Sequence, residues 1–311
     1  MESSTLYHAK QQFYLGAYKA LADLPLPDAG SDDYVPILVY QARAHIALED
    51  NDAISSLVPP DTENLALKAV TALARYVSAS DADAALEELR DLCVEIEGED
   101  VEATEREKGW VRVIAGTAFV RAGEIEEAME TLGAESSLQN LEVVAVLVQA
   151  YLSIHRPDLA RKEFDRAKAW AEDEILLQLI EASIGLVTGK DSYADAQAFF
   201  TEQLGNPSLT SPHLLTSRGV TRLLRGDVIE ARSDFEEAIS QRGHEDAETL
   251  AATVVAAGLV PKRADVEEVW SRFASTYSQN PLVRDVRARS EQFDELAAKY
   301  TVPPLAIPAS A

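Results

Sequence analysis

The sequence predicts an all-α protein built from stacked pairs of antiparallel helices. Leucine and alanine dominate its 311 residues, and no segment of useful length alternates apolar and polar residues with the period of a strand. The clearest helix pair spans 211–241, where Ser211 is a good N-cap and Pro212 suits the first helical position. A tight turn at 226–227 separates two stretches with helical spacing of apolar residues. This segment is therefore interpreted as one helix–turn–helix unit.

The same unit recurs along the chain. Gly116 and Gly123 have the same separation as Gly219 and Gly226, so small residues and turns repeat in the same order. An alanine at the expected helix crossing also recurs near a period of about 34 residues, which is typical of the tetratricopeptide repeat (TPR). These alanines are Ala128, Ala160, Ala196 and Ala231. Because one unit cannot bury its own apolar face, we predict a TPR-like right-handed superhelix, an α-solenoid.

We expect this solenoid to form a single domain over residues 1–300. In a repeat protein each repeat packs only on its neighbours, so the length of the array is not restricted to the usual size of a globular domain. Degenerate repeats are predicted over 5–96, clear repeats over 109–261 and two long helices over 262–298. The remaining 301–311 contain three prolines and small residues, so we expect an extended or disordered tail.

Prolines, glycines and capping residues set the ends of the predicted helices. Gly16 turns a short helical pair at 5–23, the prolines at 59–60 end a later helix, and Asn280 before Pro281 starts the last one. The other helices predicted outside the clear repeats are 34–48, 52–57, 62–78, 81–96 and 262–278.

The charge and the cysteine content exclude several classes of function. A net charge of −25 repels phosphate backbones and anionic lipid, so we expect no nucleic acid and no direct membrane insertion. The start of the chain lacks the apolar stretch of a secretory signal, and the longest apolar runs, 143–148 and 251–260, are too short for a membrane span. Cys93 lies on an apolar helical face, where a small buried side chain is expected.

The sequence lacks the common motifs of metal-binding, redox and nucleotide-binding sites. The sequence has no HExxH, CxxC or GxGxxG pattern and no phosphate-binding loop, and its five histidines are far apart. Seven acidic residues lie within 95–109, which fits either a docking surface for a basic partner or, more simply, a solvated loop before a helix. We therefore predict a protein without enzymatic activity and without a catalytic, cofactor-binding or metal site.

The inner face of the solenoid is the candidate binding surface. In TPR arrays the first helix of each pair lines the concave side, and the aligned positions here are mostly apolar. The candidate partner-binding residues are Trp110, Val113, Val120, Leu152, Leu176, Leu179, Leu186, His213, Val220 and Leu223. The alternative is that the superhelix closes on itself and these residues form its core.

Several segments resemble the ε-subunit family of coatomer, the coat of COPI vesicles. The segment 6–18, LYHAKQQFYLGAY, is similar to the opening of that family. The most specific match is 158–189, which begins DLARKEF, and 280–296 resembles the last helix of the family. The tail after Tyr300 and the acidic 95–107 depart from the family pattern.

This resemblance implies a function. It implies a structural, non-catalytic TPR protein that binds the C-terminal region of the coatomer α subunit as a stable heterodimer and contacts other coatomer subunits. It also implies a cytoplasmic protein, peripheral on Golgi membranes and COPI vesicles, that serves retrograde Golgi-to-ER and intra-Golgi transport. The alternative is another TPR adaptor or co-chaperone scaffold. The expected inner face lacks the lysines and asparagines with which co-chaperones clamp a terminal carboxylate.

Overall fold

In the computed structural model, the regular secondary structure of the described part of the chain is all helical. Residues 3–78, 81–98, 101–134, 139–243, 246–260 and 263–300 are described, and within them no strand is present. The helices of the first half are α1 Ser4–Tyr14, α2 Tyr18–Ala22, α3 Tyr34–Ala47, α4 Asn51–Leu57, α5 Leu65–Val77, α6 Ala82–Ile96, α7 Glu105–Ala122 and α8 Ile125–Thr131. Those of the second half are α9 Leu141–Ser153, α10 Pro157–Lys168, α11 Ile175–Thr188, α12 Tyr193–Leu204, α13 Pro212–Arg225, α14 Val228–Arg242, α15 Ala247–Gly258, α16 Arg263–Thr276 and α17 Pro281–Ala297.

The helices stack in two layers. Each odd-numbered helix from α3 to α9 packs on the next odd-numbered helix, and α13 packs on α15. We call α3, α5, α7, α9, α11, α13 and α15 the inner row. From α5 onward, each inner-row helix also packs on the even-numbered helix that follows it and on the one that precedes it. This arrangement is the stacking of helix pairs that a TPR-like solenoid requires, so the predicted fold class is confirmed.

Small residues allow the close crossings that the repeat pattern predicted. A Cβ atom placed on Gly219 would lie 2.4 Å from Cε1 of Phe235, and one on Gly116 would lie 2.7 Å from Cδ2 of Leu132. The recurring crossing alanines are buried. A large side chain at either glycine would therefore push the two helices of a pair apart.

Turn and cap chemistry fixes the helix ends. Gly123 and Gly226 end α7 and α13 in the left-handed region, with φ of +83° and +91°. Thr104 and Glu107 form a capping box at the start of α7, so this part of the acidic segment caps a helix. Residues 99–100 of that segment and the tail 301–311 lie outside the described residues.

Candidate protein-binding groove

The inner row carries all ten candidate residues of the predicted binding surface, and none of them is fully exposed. Trp110, Val113 and Leu176 are buried inside the chain. The other seven are half-buried, namely Val120, Leu152, Leu179, Leu186, His213, Val220 and Leu223. The inner surface is therefore apolar as expected, but part of it is already covered by the protein itself.

The cover is the N-terminal helix α1. It packs on α3, and the phenol of Tyr14 donates a hydrogen bond of 3.0 Å to Oε1 of Glu142 in α9. Just beyond α1, Leu15 is fully buried in a cluster that contains Ala182 of α11 and Leu214 of α13. The hydroxyl of Ser211 donates to the Leu15 carbonyl over 2.6 Å. Helix α1 therefore packs on α3, and its C-terminal end reaches α9, α11 and α13 of the inner row.

A buried polar cluster holds α1 in place. Glu142 accepts hydrogen bonds from Tyr14 and Tyr40, and Nη1 of Arg43 lies 2.6 Å from its Oε2. The guanidinium of Arg43 also lies 4.3 Å from the ring centroid of Phe13. This cluster joins α1, α3 and α9, which are far apart in sequence.

The surroundings of the Glu142 carboxylate favour its charged form. Burial raises the pKa of Glu142, but the positive charge of Arg43 and the hydrogen bonds from Tyr40, Arg43 and Tyr14 outweigh it, so the pKa lies below its usual value. Burial and the Glu142 charge raise the pKa of Tyr14 and Tyr40 well above that of a free phenol. Both phenols therefore remain hydrogen-bond donors at neutral pH.

Beside α1 a cleft remains open, which we call the N-terminal cleft. Its volume is about 240 Å³, and it lies between α1 and the first turns of α7, α9 and α11. Aromatic side chains line it, namely Tyr7, Tyr14, Tyr40, Trp110 and Trp170. Trp110 meets Tyr40 edge-on at 6.1 Å, and Tyr7 is exposed at the mouth. This combination suits an apolar side chain held by amphipathic aromatic rings.

A larger opening, which we call the C-terminal cleft, lies beyond the C-terminal end of α1. Its volume is about 420 Å³, and its lining comes from α2, the end of α3, the start of α13 and Tyr277. His213 lies next to this cleft, where its side chain packs on Gly16 and its Nδ1 is 3.4 Å from Glu248. Burial lowers the pKa of His213, but the Glu248 carboxylate raises it by more.

Across the described ranges, no group of three or more histidine, cysteine or acidic side chains could hold a metal ion. Burial raises the pKa of the half-buried Cys93 to about 11, so its reactive thiolate form is scarce at neutral pH. In the part of the chain that is described, no helix is both long and apolar enough to cross a membrane.

Sequence reasoning found the inner row but missed α1. The contact between Ser211 and Leu15 uses a backbone carbonyl, which no side-chain pattern reveals. Glu142 was the available signal, because it is the one acidic residue among the mostly apolar inner positions of the clear repeats and a buried charge needs a partner.

Solved structures share this fold. A tetratricopeptide repeat protein from Parabacteroides merdae aligns with a TM-score of 0.55 and 12% identity, over 80% of this chain and 95% of that chain. The APC/C hetero-tetramer Cut9-Hcn1 aligns with a TM-score of 0.57 and 14% identity, over 90% of this chain and 52% of that chain. At such identities the likeness supports the TPR-like fold alone.

Sequence relatives cover nearly the whole chain. The "Probable coatomer subunit epsilon" of Schizosaccharomyces pombe is 26% identical over 96% of each chain. "Coatomer subunit epsilon-1" of Arabidopsis thaliana is 25% identical over 95% of this chain and 97% of its own, and "Coatomer subunit epsilon" of Caenorhabditis elegans is 24% identical over 94% and 97%. The model of the coatomer epsilon subunit family matches residues 2–301. This chain therefore belongs to the coatomer epsilon subunit family.

Proposed function

We propose that this subunit of the COPI coat binds and stabilises the C-terminal region of the coatomer α subunit through the inner face of its solenoid. The observation that carries the proposal is the inner row, where seven apolar or amphipathic candidate residues remain only half-buried, while Trp110 and Leu176 line the N-terminal cleft. Half-covered apolar surface of this kind marks an interaction site.

The role proposed for this pair is structural. Support for a non-catalytic function comes from the family and from the stacked-helix architecture, which resembles a binding scaffold. We propose that the heterodimer contacts other coatomer subunits in the cytoplasm, at the surface of Golgi membranes and COPI vesicles. It would serve retrograde Golgi-to-ER and intra-Golgi transport.

We propose further that 1–300 act as one structural unit. The continuous packing from α3 to α16 supports this, and so do the contacts of α1 and Leu15 with the inner row. Limited proteolysis should then leave one resistant fragment of nearly full length. Two stable fragments that separate under native conditions would contradict a single unit.

Binding is tested with a purified C-terminal fragment of the α subunit. Tyr7→Glu places a charge at the exposed mouth of the N-terminal cleft, and Leu186→Glu does the same on the inner row. We expect both variants to weaken binding in isothermal titration calorimetry by at least about 30-fold, the effect of losing an interface hot spot. Ile229→Glu is the matched control, because Ile229 lies exposed on the outer helix α14.

The same variants separate binding from folding. If Leu186→Glu or Val220→Glu unfolds the isolated chain, those two residues are core and the groove interpretation fails for them. Tyr7→Glu keeps the test decisive, because Tyr7 is exposed and its replacement leaves the core intact. Unchanged affinity in a folded Tyr7→Glu variant would contradict binding at the N-terminal cleft.

A further inference from the structure

Helix α17, Pro281–Ala297, stands apart from the rest of the solenoid. Its first turn packs on the body, where Val283 is fully buried in a cluster with Leu250 and Phe273. Every residue from 284 to 300 is exposed. Most of the stability of a helix in a protein comes from packing of its apolar face, and α17 has that packing only at its first turn.

The exposed part of α17 carries a stripe of large apolar residues. In the helix Val286 is 39% exposed, Phe293 70% and Leu296 47%, and Tyr300, three residues beyond the end of the helix, is 76% exposed. With two further residues they follow an alternating spacing of four and three. The six positions are Leu282, Val286, Arg289, Phe293, Leu296 and Tyr300. This spacing is the a/d pattern of a coiled coil, narrower than the stripe of a helix that faces a globular core.

We propose that α17 pairs with α17 of a second copy of this chain as an antiparallel coiled coil. Arg289 selects the orientation. In a parallel pair it would face Arg289 of the second copy, and two like charges in the seam repel. In an antiparallel pair centred on Glu291, Arg289 faces Phe293 of the second copy, where a guanidinium over an aromatic ring is favourable.

The same register pairs the remaining seam residues of one copy with apolar or aromatic residues of the second copy. It places Val286 opposite Leu296 of the second copy. At the end of the seam Leu282, which packs partly on the body of its own chain, lies level with Tyr300 of the second copy, just beyond the end of that helix. Asp285 and Lys299 flank the seam on the same side, so opposite charges approach each other across the pair. Because the arrangement has twofold symmetry, each of these contacts is made twice.

The distribution of charge along α17 supports this orientation independently. Three arginines, Arg284, Arg287 and Arg289, lie in its first half, while Glu291, Asp294 and Glu295 lie in its second half. This order opposes the helix macrodipole, which favours acidic residues near the N-terminus. In an antiparallel pair the half with net positive charge lies alongside the half with net negative charge, and because most of these side chains are on the outward side of the pair, their attraction is a long-range one.

The net charge of the chain also favours this place of contact. The whole chain carries −25, so two copies repel each other over most of their surfaces. Residues 281–300 contain four basic and four acidic residues and are neutral overall. Two copies therefore meet with least repulsion at α17.

Sedimentation velocity of the full chain over a concentration series tests the proposal. We expect a monomer–dimer equilibrium, and Phe293→Glu should raise its dissociation constant by at least about 30-fold. Ala288→Glu is the matched control, because it adds the same side chain on the opposite face of α17 and should leave the equilibrium unchanged. A wild-type chain that remains monomeric up to about 0.1 mM, or a dimer insensitive to Phe293→Glu, would overturn the proposal.

Cross-linking tests the orientation in a Cys93→Ser background. A Val286→Cys chain mixed with a Leu296→Cys chain should form a disulfide-linked pair on oxidation, while neither chain alone should do so. Cross-linking of Val286→Cys chains with each other would indicate a parallel pair and overturn the proposed orientation.

A titration with the α-subunit fragment separates self-pairing from docking on that partner. If the chain alone is monomeric and Phe293→Glu weakens binding of the fragment, then α17 docks on the partner and self-pairing is overturned. This result would leave the proposed function intact, because that function is tested by Tyr7→Glu and Leu186→Glu on the inner face.

Discussion

The first and last helices of the chain are both amphipathic, yet the structure treats them in opposite ways. Helix α1 packs on the inner row and buries Leu6 and Ala9, and Leu15 just beyond it is fully buried. Helix α17 buries little beyond Val283 and leaves Phe293 and Tyr300 exposed. The comparison shows that an apolar stripe alone does not decide whether a terminal helix docks on the solenoid.

The difference lies in polar complementarity. The end of helix α1 makes two specific hydrogen bonds with the inner row: Glu142 accepts one from the Tyr14 phenol, and the Leu15 carbonyl accepts one from the Ser211 hydroxyl. Helix α17 has an exposed hydrogen bond to the body, which Arg287 donates to the Ala274 carbonyl over 3.2 Å, and its described ion pair lies within the helix, between Arg289 and Asp285 at 2.8 Å. Satisfied buried polar groups fix one docking geometry, whereas an exposed stripe remains available to a separate chain. The predictions below test this contrast.

The largest effect is expected from removing the buried carboxylate. Glu142→Ala leaves Arg43 buried without its ionic partner, so the free energy of unfolding should fall by about 3–5 kcal/mol in urea titrations. The matched control is Asp285→Ala, which breaks the exposed ion pair of α17 and should cause no resolvable loss. Equal effects of the two substitutions would show that α1 is no better anchored than α17.

The next largest difference in the free energy of unfolding is expected when one apolar side chain is truncated at the end of α1 and one in α17. Leu15→Ala removes a fully buried side chain between α11 and α13 and should cost about 2–4 kcal/mol of stability. Leu296→Ala in α17, measured on dilute monomer, should change the free energy of unfolding by about 0.5 kcal/mol or less. A small effect of Leu15→Ala would mean that α1 is not firmly seated on the inner row.

The pH dependence of stability should reveal Glu142 directly. Its pKa is lower in the folded chain than in the unfolded chain, so its stabilising contribution is complete above the unfolded pKa of about 4.3. That contribution is lost as the pH falls through the lower folded value. Stability measured by urea titration between pH 5 and pH 2, roughly, should fall more steeply for the wild type than for Glu142→Gln. Parallel curves would contradict a charged Glu142 in the cluster.

The smallest effect is expected in the exposed half of α17. Phe293→Ser should leave the thermal stability of dilute monomer unchanged to within about 0.5 kcal/mol, because Phe293 contacts little in the single chain. A loss above about 1 kcal/mol in differential scanning calorimetry would mean that α17 packs on the body of its own chain.

The repeat architecture could be predicted because local rules encode it. Glycines at turns, such as Gly123 and Gly226, and small residues at crossings, such as Gly219, repeat with the period of the fold. These contacts join residues that are close in sequence. The order and character of the helices therefore follow from pattern alone.

The path of α1 could not be predicted in the same way. Leu15 and Ser211 are 196 positions apart, and their hydrogen bond involves a backbone atom that every residue possesses. The candidate inner residues were found by TPR geometry, but the extent to which α1 covers them depends on this distant contact. The heptad spacing of α17 was present in the sequence, whereas its exposure became evident only in the folded chain.

Hydrogen exchange with mass spectrometry, with and without the C-terminal fragment of the α subunit, tests the central claim most directly. We expect the fragment to slow exchange in the inner-row helices α7, α9, α11 and α13 and in α1, while the outer helices α8, α10, α12 and α14 change little. Protection confined to the outer helices, or no protection in a mixture shown to be bound, would contradict binding at the inner face.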